Sequence, residues 1–142
     1  LVDVLCDVVR GSDVPAATLR LAKDLRSAGR ARTFVEARCV DWGLVGVVDD
    51  ALVVVSELVT NAVVHAQSPV ELRLVPGTET LRIEVADEGG AARDPVVAGV
   101  EDEHGRGLLL VAVLSAAWGT EARDGGKVVW ADVPLVPAAT AS

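Results

Sequence analysis

The segment Ala51-Leu52-Val53-Val54-Val55-Ser56-Glu57-Leu58-Val59-Thr60-Asn61-Ala62-Val63-Val64-His65-Ala66 holds the residues best suited to chemistry. Glu57, Asn61 and His65 recur every four residues, so on a helix each is rotated by only about 40° from the last. They form one flank, with Ser56 and Thr60 beside them and Leu52, Leu58, Val59, Ala62 and Val63 on the opposite, core-facing side. The flank has no lysine or arginine and is interleaved with Val53, Val54 and Val64, a poor composition for a freely solvated face. A half-buried carboxylate is costly unless it meets a cation, a proton or a hydrogen-bond donor. Glu57 followed by Asn61 suits a magnesium–triphosphate site. The Asn61 carbonyl can supply an oxygen ligand alongside phosphate oxygens and water, and a carboxylate one turn earlier can orient or deprotonate an attacking hydroxyl. The plainer alternative is a capped, half-exposed helix whose Glu57 bonds locally.

Two further segments bear on the same chemistry. Asp87-Glu88-Gly89-Gly90 directly follows an apolar alternating run. A carboxylate at a strand end can accept from an exocyclic amine such as that of adenine, and glycines beside it allow close approach of backbone to ligand; an ordinary Asp-Gly turn is the competing reading. Glu103-His104-Gly105-Arg106-Gly107-Leu108 opens another apolar stretch. Glycines at a helix start expose N–H donors at the positive dipole end, a cradle for phosphate, although Glu101, Asp102 and Glu103 repel an anion unless they point away. Each piece alone is weak. Their order, acidic-amide helix, then Asp-Gly after a strand, then Gly-x-Gly opening a helix, is much less expected by chance.

The elements that must position these groups follow from period and punctuation. Residues 17–22 alternate as a short strand. Ser27 is a candidate cap for a helix to Trp42, with Ala31, Phe34, Val35 and Cys39 inward and Gly43 ending it. Asp49 and Asp50 suit the first turn of the next helix, which runs to Ala66. Residues 70–75 and 81–85 alternate around Pro76-Gly77 as a hairpin. Residues 87–104 lack a period and read as a functional loop or lid. A helix over 107–116 and strands over 118–123 and 128–133 follow, the strands joined by Asp124-Gly125-Gly126. Hairpins alternating with helices imply an α+β two-layer sandwich. The division is a segment over 1–16, a remnant of an upstream domain or a short helix, one domain over 17–137, and a tail over 138–142. Methionine is absent, which suggests a processed start or a cut inside a longer protein.

With 142 residues, 51% apolar and 24% charged, the chain has the composition of one globular domain. Aromatics are only 3%, so valine, leucine and alanine must fill the core. A net charge of −8 disfavours broad contact with a phosphate backbone, so nucleic acid is not expected as a direct partner. Cys6 and Cys39 have no metal-like spacing and read as reduced thiols. No apolar run is long enough to span a bilayer and no secretory signal is visible, so a cytoplasmic location without membrane association is expected.

Taken together, the segments resemble the GHKL superfamily of ATP-binding domains with the Bergerat fold, and within it the anti-sigma-factor serine/threonine kinases, which are histidine kinase-like ATPases. Residues 56–66 match that family's N box, Asp87-Glu88-Gly89 its first glycine box, and Gly105-Arg106-Gly107-Leu108 its second; the likeness extends over about 17–135. The resemblance implies a mixed, mostly antiparallel sheet covered by helices on one face, with ATP and magnesium as cofactors. It implies that Glu57 is the general base on a substrate serine and that Asn61 holds magnesium. Asp87 would bind the adenine amine with Gly89 against the base, and Gly105, Arg106, Gly107 and Leu108 would line the phosphates. Arg32 falls in the region that family members turn toward a sigma factor or its antagonist, and His65 reads as a site-edge or structural histidine. The implied activity is a serine protein kinase and anti-sigma factor that phosphorylates an anti-sigma-factor antagonist, regulates a sigma factor in transcription and stress response, and forms a homodimer through its sheet. Two departures stand out: Ala91 where the family has glycine, and Val128 where relatives place a threonine that helps hold an adenine-linked water. They support the alternative of a non-catalytic module that docks a sigma factor or antagonist and binds ATP weakly, as the terminal domain of a larger regulator.

Overall fold

The computed structural model describes residues 16–65, 68–87, 104–123 and 125–135. The expectations for the segment over 1–16, the loop over 87–104, the tail, Cys6, Gly89 and Ala91 fall wholly or mainly outside the described residues. The chain begins with β1 (Ala17–Leu21) and continues into α1 (Ser27–Trp42). Ala31, Val35 and Cys39, spaced by four, are fully buried along one side of α1. Ser27 does not cap this helix. It is the first helical residue, and its Oγ donates to the Ala22 carbonyl at 2.7 Å, which ties the helix to the end of β1. Gly43 does end it: at φ +73 the left-handed turn lets the Gly43 amide donate to Val40 O and the Leu44 amide to Cys39 O, satisfying carbonyls that the helix leaves open.

A short 3-10 turn, Val45–Val47, leads into α2 (Val48–His65), with Asp49 and Asp50 in its first turn. This helix packs against α1 on one side and against α3 (His104–Leu114) on the other. Its buried arc is therefore wider than the core-facing half expected for a surface helix. Val54, expected on the polar flank, is fully buried, and Asn61 is only 9% exposed.

The remaining strands are β2 (Val70–Pro76), β3 (Thr80–Asp87), β4 (Ala117–Arg123) and β5 (Gly126–Pro134), in a sheet of order β1-β2-β3-β5-β4. Each pairing is antiparallel, so among the described strands the sheet has no parallel component. The register places Leu72 beside Val85 and Val85 beside Val129, with Leu74, Ile83 and Ala131 in the next row, all in one core under the helices. The alternate residues form the opposite face. There Glu84, whose side chain is 8% exposed, meets Arg73 at 3.3 Å, Arg123 at 3.7 Å and Arg82 at 4.0 Å. Arg82 also makes a two-pronged contact with Asp132, at 2.7 and 3.0 Å, and stacks 4.3 Å above the Trp130 ring. No helix among the described residues is long and apolar enough to cross a membrane.

Candidate functional site

Glu57 and Asn61 stand one turn apart on α2, at the edge of its solvent-facing strip. Val53 and Val64 mark the open strip, at 38% and 42% exposed. Glu57 lies beside them and is half-buried, whereas Asn61 is turned inward. The Asn61 Oδ1 is fully enclosed and has no hydrogen-bond partner among the described residues. An enclosed amide oxygen without a donor is an unfavourable arrangement for a folded chain by itself. It is the arrangement expected of an oxygen that awaits a cation. Among the described residues no cluster of three or more His, Cys, Asp or Glu could hold a metal ion, so a cation here would have to draw on Asn61 together with phosphate oxygens and water, the mixed coordination magnesium favours.

The other flank of Glu57 carries a cation that the pattern of α2 alone does not reveal. Arg32 of α1 donates from Nη1 to Ser56 Oγ at 3.1 Å, while Ser56 donates in turn to the Leu52 carbonyl at 2.8 Å. The link crosses between helices, and spacing within one helix holds no trace of it. Arg32 thus stands next to the residue preceding Glu57, on the exposed side of the helix pair.

The α3 helix begins earlier than its apolar run suggests. His104, Gly105, Arg106 and Gly107 are its first four residues rather than its approach. The N–H groups of the first four residues of a helix have no intrahelical acceptor, so this whole Gly-x-Gly turn presents donors and the positive end of the helix dipole to an anion. Leu108, the next residue, is buried, at 5% exposed.

Asp87 is the last residue of β3 and pairs with core residue Val70 on one side. On the other, its Oδ1 accepts the Lys127 backbone amide at 3.2 Å. Here the sequence expectation needs correction. Val128 pairs with Ala86, and Val129 with Val85. Val129 belongs to the core under the helices, whereas Val128, though buried, does not. By strand alternation Val128 therefore faces away from the site, and Lys127 is the residue beside Asp87 on the helix-covered side. The loss assigned to Val128 as a missing polar group does not fall on this site. Counting from the Asp124-Gly125-Gly126 turn gives the register only when the exact turn geometry is known; Gly125 takes it at φ +82.

These groups come from three separate elements: the α2 carboxylate and amide, the α3 amides, and the strand-end Asp87. The model of the histidine kinase-like ATPase domain matches residues 21–133, and the chain belongs to that family. A solved structure, the RsbU and RsbW domains of Rv1364c from Mycobacterium tuberculosis, is similar in fold, with a TM-score of 0.63 at 18% identity over 84% of this chain. The chain spans 32% of the length of that structure. No curated protein matches. The family is one of ATPases, and the donor set fits such a ligand: an enclosed amide oxygen for the cation, a helix start for phosphate, and a strand-end carboxylate for an amine.

Proposed function

We propose that this domain is an ATP- and magnesium-dependent serine/threonine protein kinase that phosphorylates an anti-sigma-factor antagonist and thereby regulates a sigma factor. The observation that carries the reading is the enclosed Asn61 Oδ1, without a partner among the described residues, one helical turn from the half-buried Glu57. Bound magnesium ATP supplies the transferable γ-phosphoryl group and the metal charge that offsets its oxygens. Asn61 holds the cation through Oδ1. The backbone amides of Gly105, Arg106 and Gly107 donate to phosphate oxygens, and Asp87 accepts from the exocyclic amine of the base, with Gly89 beside it. Glu57 accepts the proton of the acceptor serine, whose approach is from the open strip between Val53 and Val64.

The kinase assignment draws on the resemblance of residues 56–66 to the anti-sigma-factor kinases, and the RsbW domain in the similar structure supports it. Partners are an antagonist protein and a sigma factor, with a second copy across the sheet face away from the helices. The alternative of a non-catalytic docking module rested on Ala91 and Val128, and the position of Val128 on the far face removes half of its basis. The test is incubation of the purified domain with radiolabelled ATP, magnesium and a cognate antagonist. Phosphoserine should form, and Glu57→Gln should abolish it while nucleotide binding persists. Transfer that survives Glu57→Gln removes Glu57 as the base.

A further inference from the structure

The sheet ends in β1 on one side and in β4 on the other, and the two ends are finished differently. Over β1 lies α1, whose outward side includes Arg30, Arg32, Thr33 and Glu36, all exposed and polar. Over β4 lies α3, which packs against α2, β5 and β4. Its outward side is apolar: Leu109 is 65% exposed, Leu110 46% and Val113 77%. Among the described residues no strand pairs with the outer edge of β4, so backbone N–H and C=O groups along this seven-residue strand stand open beside that helix. The strand has neither proline nor lysine, the common guards of such an edge. An open edge takes an extended strand, and an exposed apolar patch marks a contact surface. A partner that covers both must bring a strand with an apolar helix beside it, which is what the same edge of a second copy offers.

We infer that β4 and α3 together form a contact with a second copy of this chain, the two β4 strands pairing antiparallel about a twofold axis at Thr120. The contact goes beyond the nucleotide-site reading and uses a different surface from the sheet face away from the helices. A twofold axis sets one patch against itself, and an axis normal to the sheet keeps the helices of both copies on one side. Pairing about Thr120 overlaps the whole strand: Ala117 of each copy lies opposite Arg123 of the other, Trp118 opposite Ala122, and Gly119 opposite Glu121. No like charges then stand directly opposite, and each Glu121 keeps its own Arg123 at 3.0 Å. Moving the axis to Glu121 would set the two Glu121 carboxylates against each other. The helix spacing fits as well. Set over the gap between β5 and β4, α3 lies about 2.4 Å inside the edge, so the two α3 axes come about 10 Å apart, the distance at which helices pack. Leu109, Leu110 and Val113 then meet their counterparts. The wall formed by strand and helix is roughly 23 Å long and 20 Å tall, at the low end of specific interfaces, so the dimer should be weak, with a Kd of about 10–100 µM.

The experiment combines sedimentation equilibrium with directed disulfide formation, both on the full chain without nucleotide. The wild type should pass from monomer to dimer between about 1 and 500 µM. Val113→Glu changes a side chain that is 77% exposed, so the fold is undisturbed. It should raise Kd more than about tenfold, because the contact would bury an unpaired charge. Thr120→Cys should link to its own copy on mild oxidation, since opposite residues on paired strands have Cβ atoms about 4.5–5.5 Å apart, near enough for a disulfide. Thr18→Cys, on the opposite edge strand β1, should not link, and the wild type serves as the blank for the native thiols. A wild type that stays monomeric at about 500 µM, association unchanged in Val113→Glu, or Thr120→Cys that links no faster than Thr18→Cys overturns the edge contact. A dimer built only across the sheet face away from the helices gives the last two results. Neither readout involves nucleotide or phosphoryl transfer, so failure of the edge contact and failure of the kinase reading are told apart.

Discussion

Asn61 is a residue whose surroundings make sense only with something added. Placing an amide oxygen where no donor reaches it costs a fold about 1–3 kcal/mol, yet the same oxygen is enclosed one turn from a carboxylate, with no partner among the described residues. Function and stability therefore pull apart at this position. Asn61→Leu, close in shape and without the orphaned oxygen, should leave the nucleotide-free domain as stable as wild type or about 1 kcal/mol more stable in urea unfolding. It should also remove the magnesium dependence of ATP binding. A clear loss of stability would mean that Oδ1 is already satisfied within the fold. The Glu57–Asn61 pair was legible in the sequence because helix geometry converts a spacing of four into a shared flank with little error. The strand-end pair was not. A one-residue slip of register exchanges the two faces of a strand, so Val128 and Lys127 cannot be told apart until the hairpin is fixed. The role of Arg32 against Ser56 was out of reach for a different reason, since it joins two helices whose packing no single-helix pattern encodes.

At the level of elements, the sequence and the fold agree where period is strong and diverge where ends are set by local bonds. Both hairpins and α2 fall where alternation and four-residue spacing put them. The start of α3 moved toward the N-terminus to take in the Gly-x-Gly turn, because glycines weigh against a helix in the sequence but suit its first turn in the structure. The charge lattice on the sheet face away from the helices was hidden as well, since it needs cross-strand neighbours to exist. Its centre is Glu84 among Arg73, Arg82 and Arg123. Removing the enclosed partner of such a group leaves the surrounding charges uncompensated, and the exposure of the arginines tempers the effect. Glu84→Gln should therefore destabilise by about 1–3 kcal/mol in urea unfolding, whereas Arg73→Ala, at the wet rim, should cost under about 1 kcal/mol. A second element-scale effect concerns α1. Burial raises the pKa of the Cys39 thiol above that of an exposed thiol, so the folded state holds this proton more tightly than the unfolded chain does. Stability from this group is then complete below about pH 8.5 and falls as pH rises beyond it. Unfolding measured from pH 7 to 10 should show an alkaline decline that is reduced in Cys39→Ala, and thiol labelling of the native domain should be slow.

For the molecule as a whole, the sheet is held together on both faces by its own residues, while the proposed nucleotide site leaves the Asn61 Oδ1 without a hydrogen-bond partner among the described residues. Such a division makes nucleotide a structural partner of the native state. A ligand that binds only the folded form stabilises it by an amount set by its concentration relative to Kd, about 2.7 kcal/mol at a hundredfold excess over Kd. For a domain of this size that corresponds to a rise in Tm of about 10 °C. Thermal unfolding followed by circular dichroism should show this rise with ATP and magnesium together, and a much smaller one with ATP in the presence of a chelator. The variants then separate the groups by role. On the proposed reading, in which its carboxylate acts on the acceptor hydroxyl and not on the nucleotide, Glu57→Gln should keep the full shift. Asn61→Leu should lose the magnesium-dependent part, and Asp87→Asn most of the whole. An equal shift in all three variants would place the nucleotide elsewhere on the domain, since no single site built from these three elements can bind it with each group removed in turn.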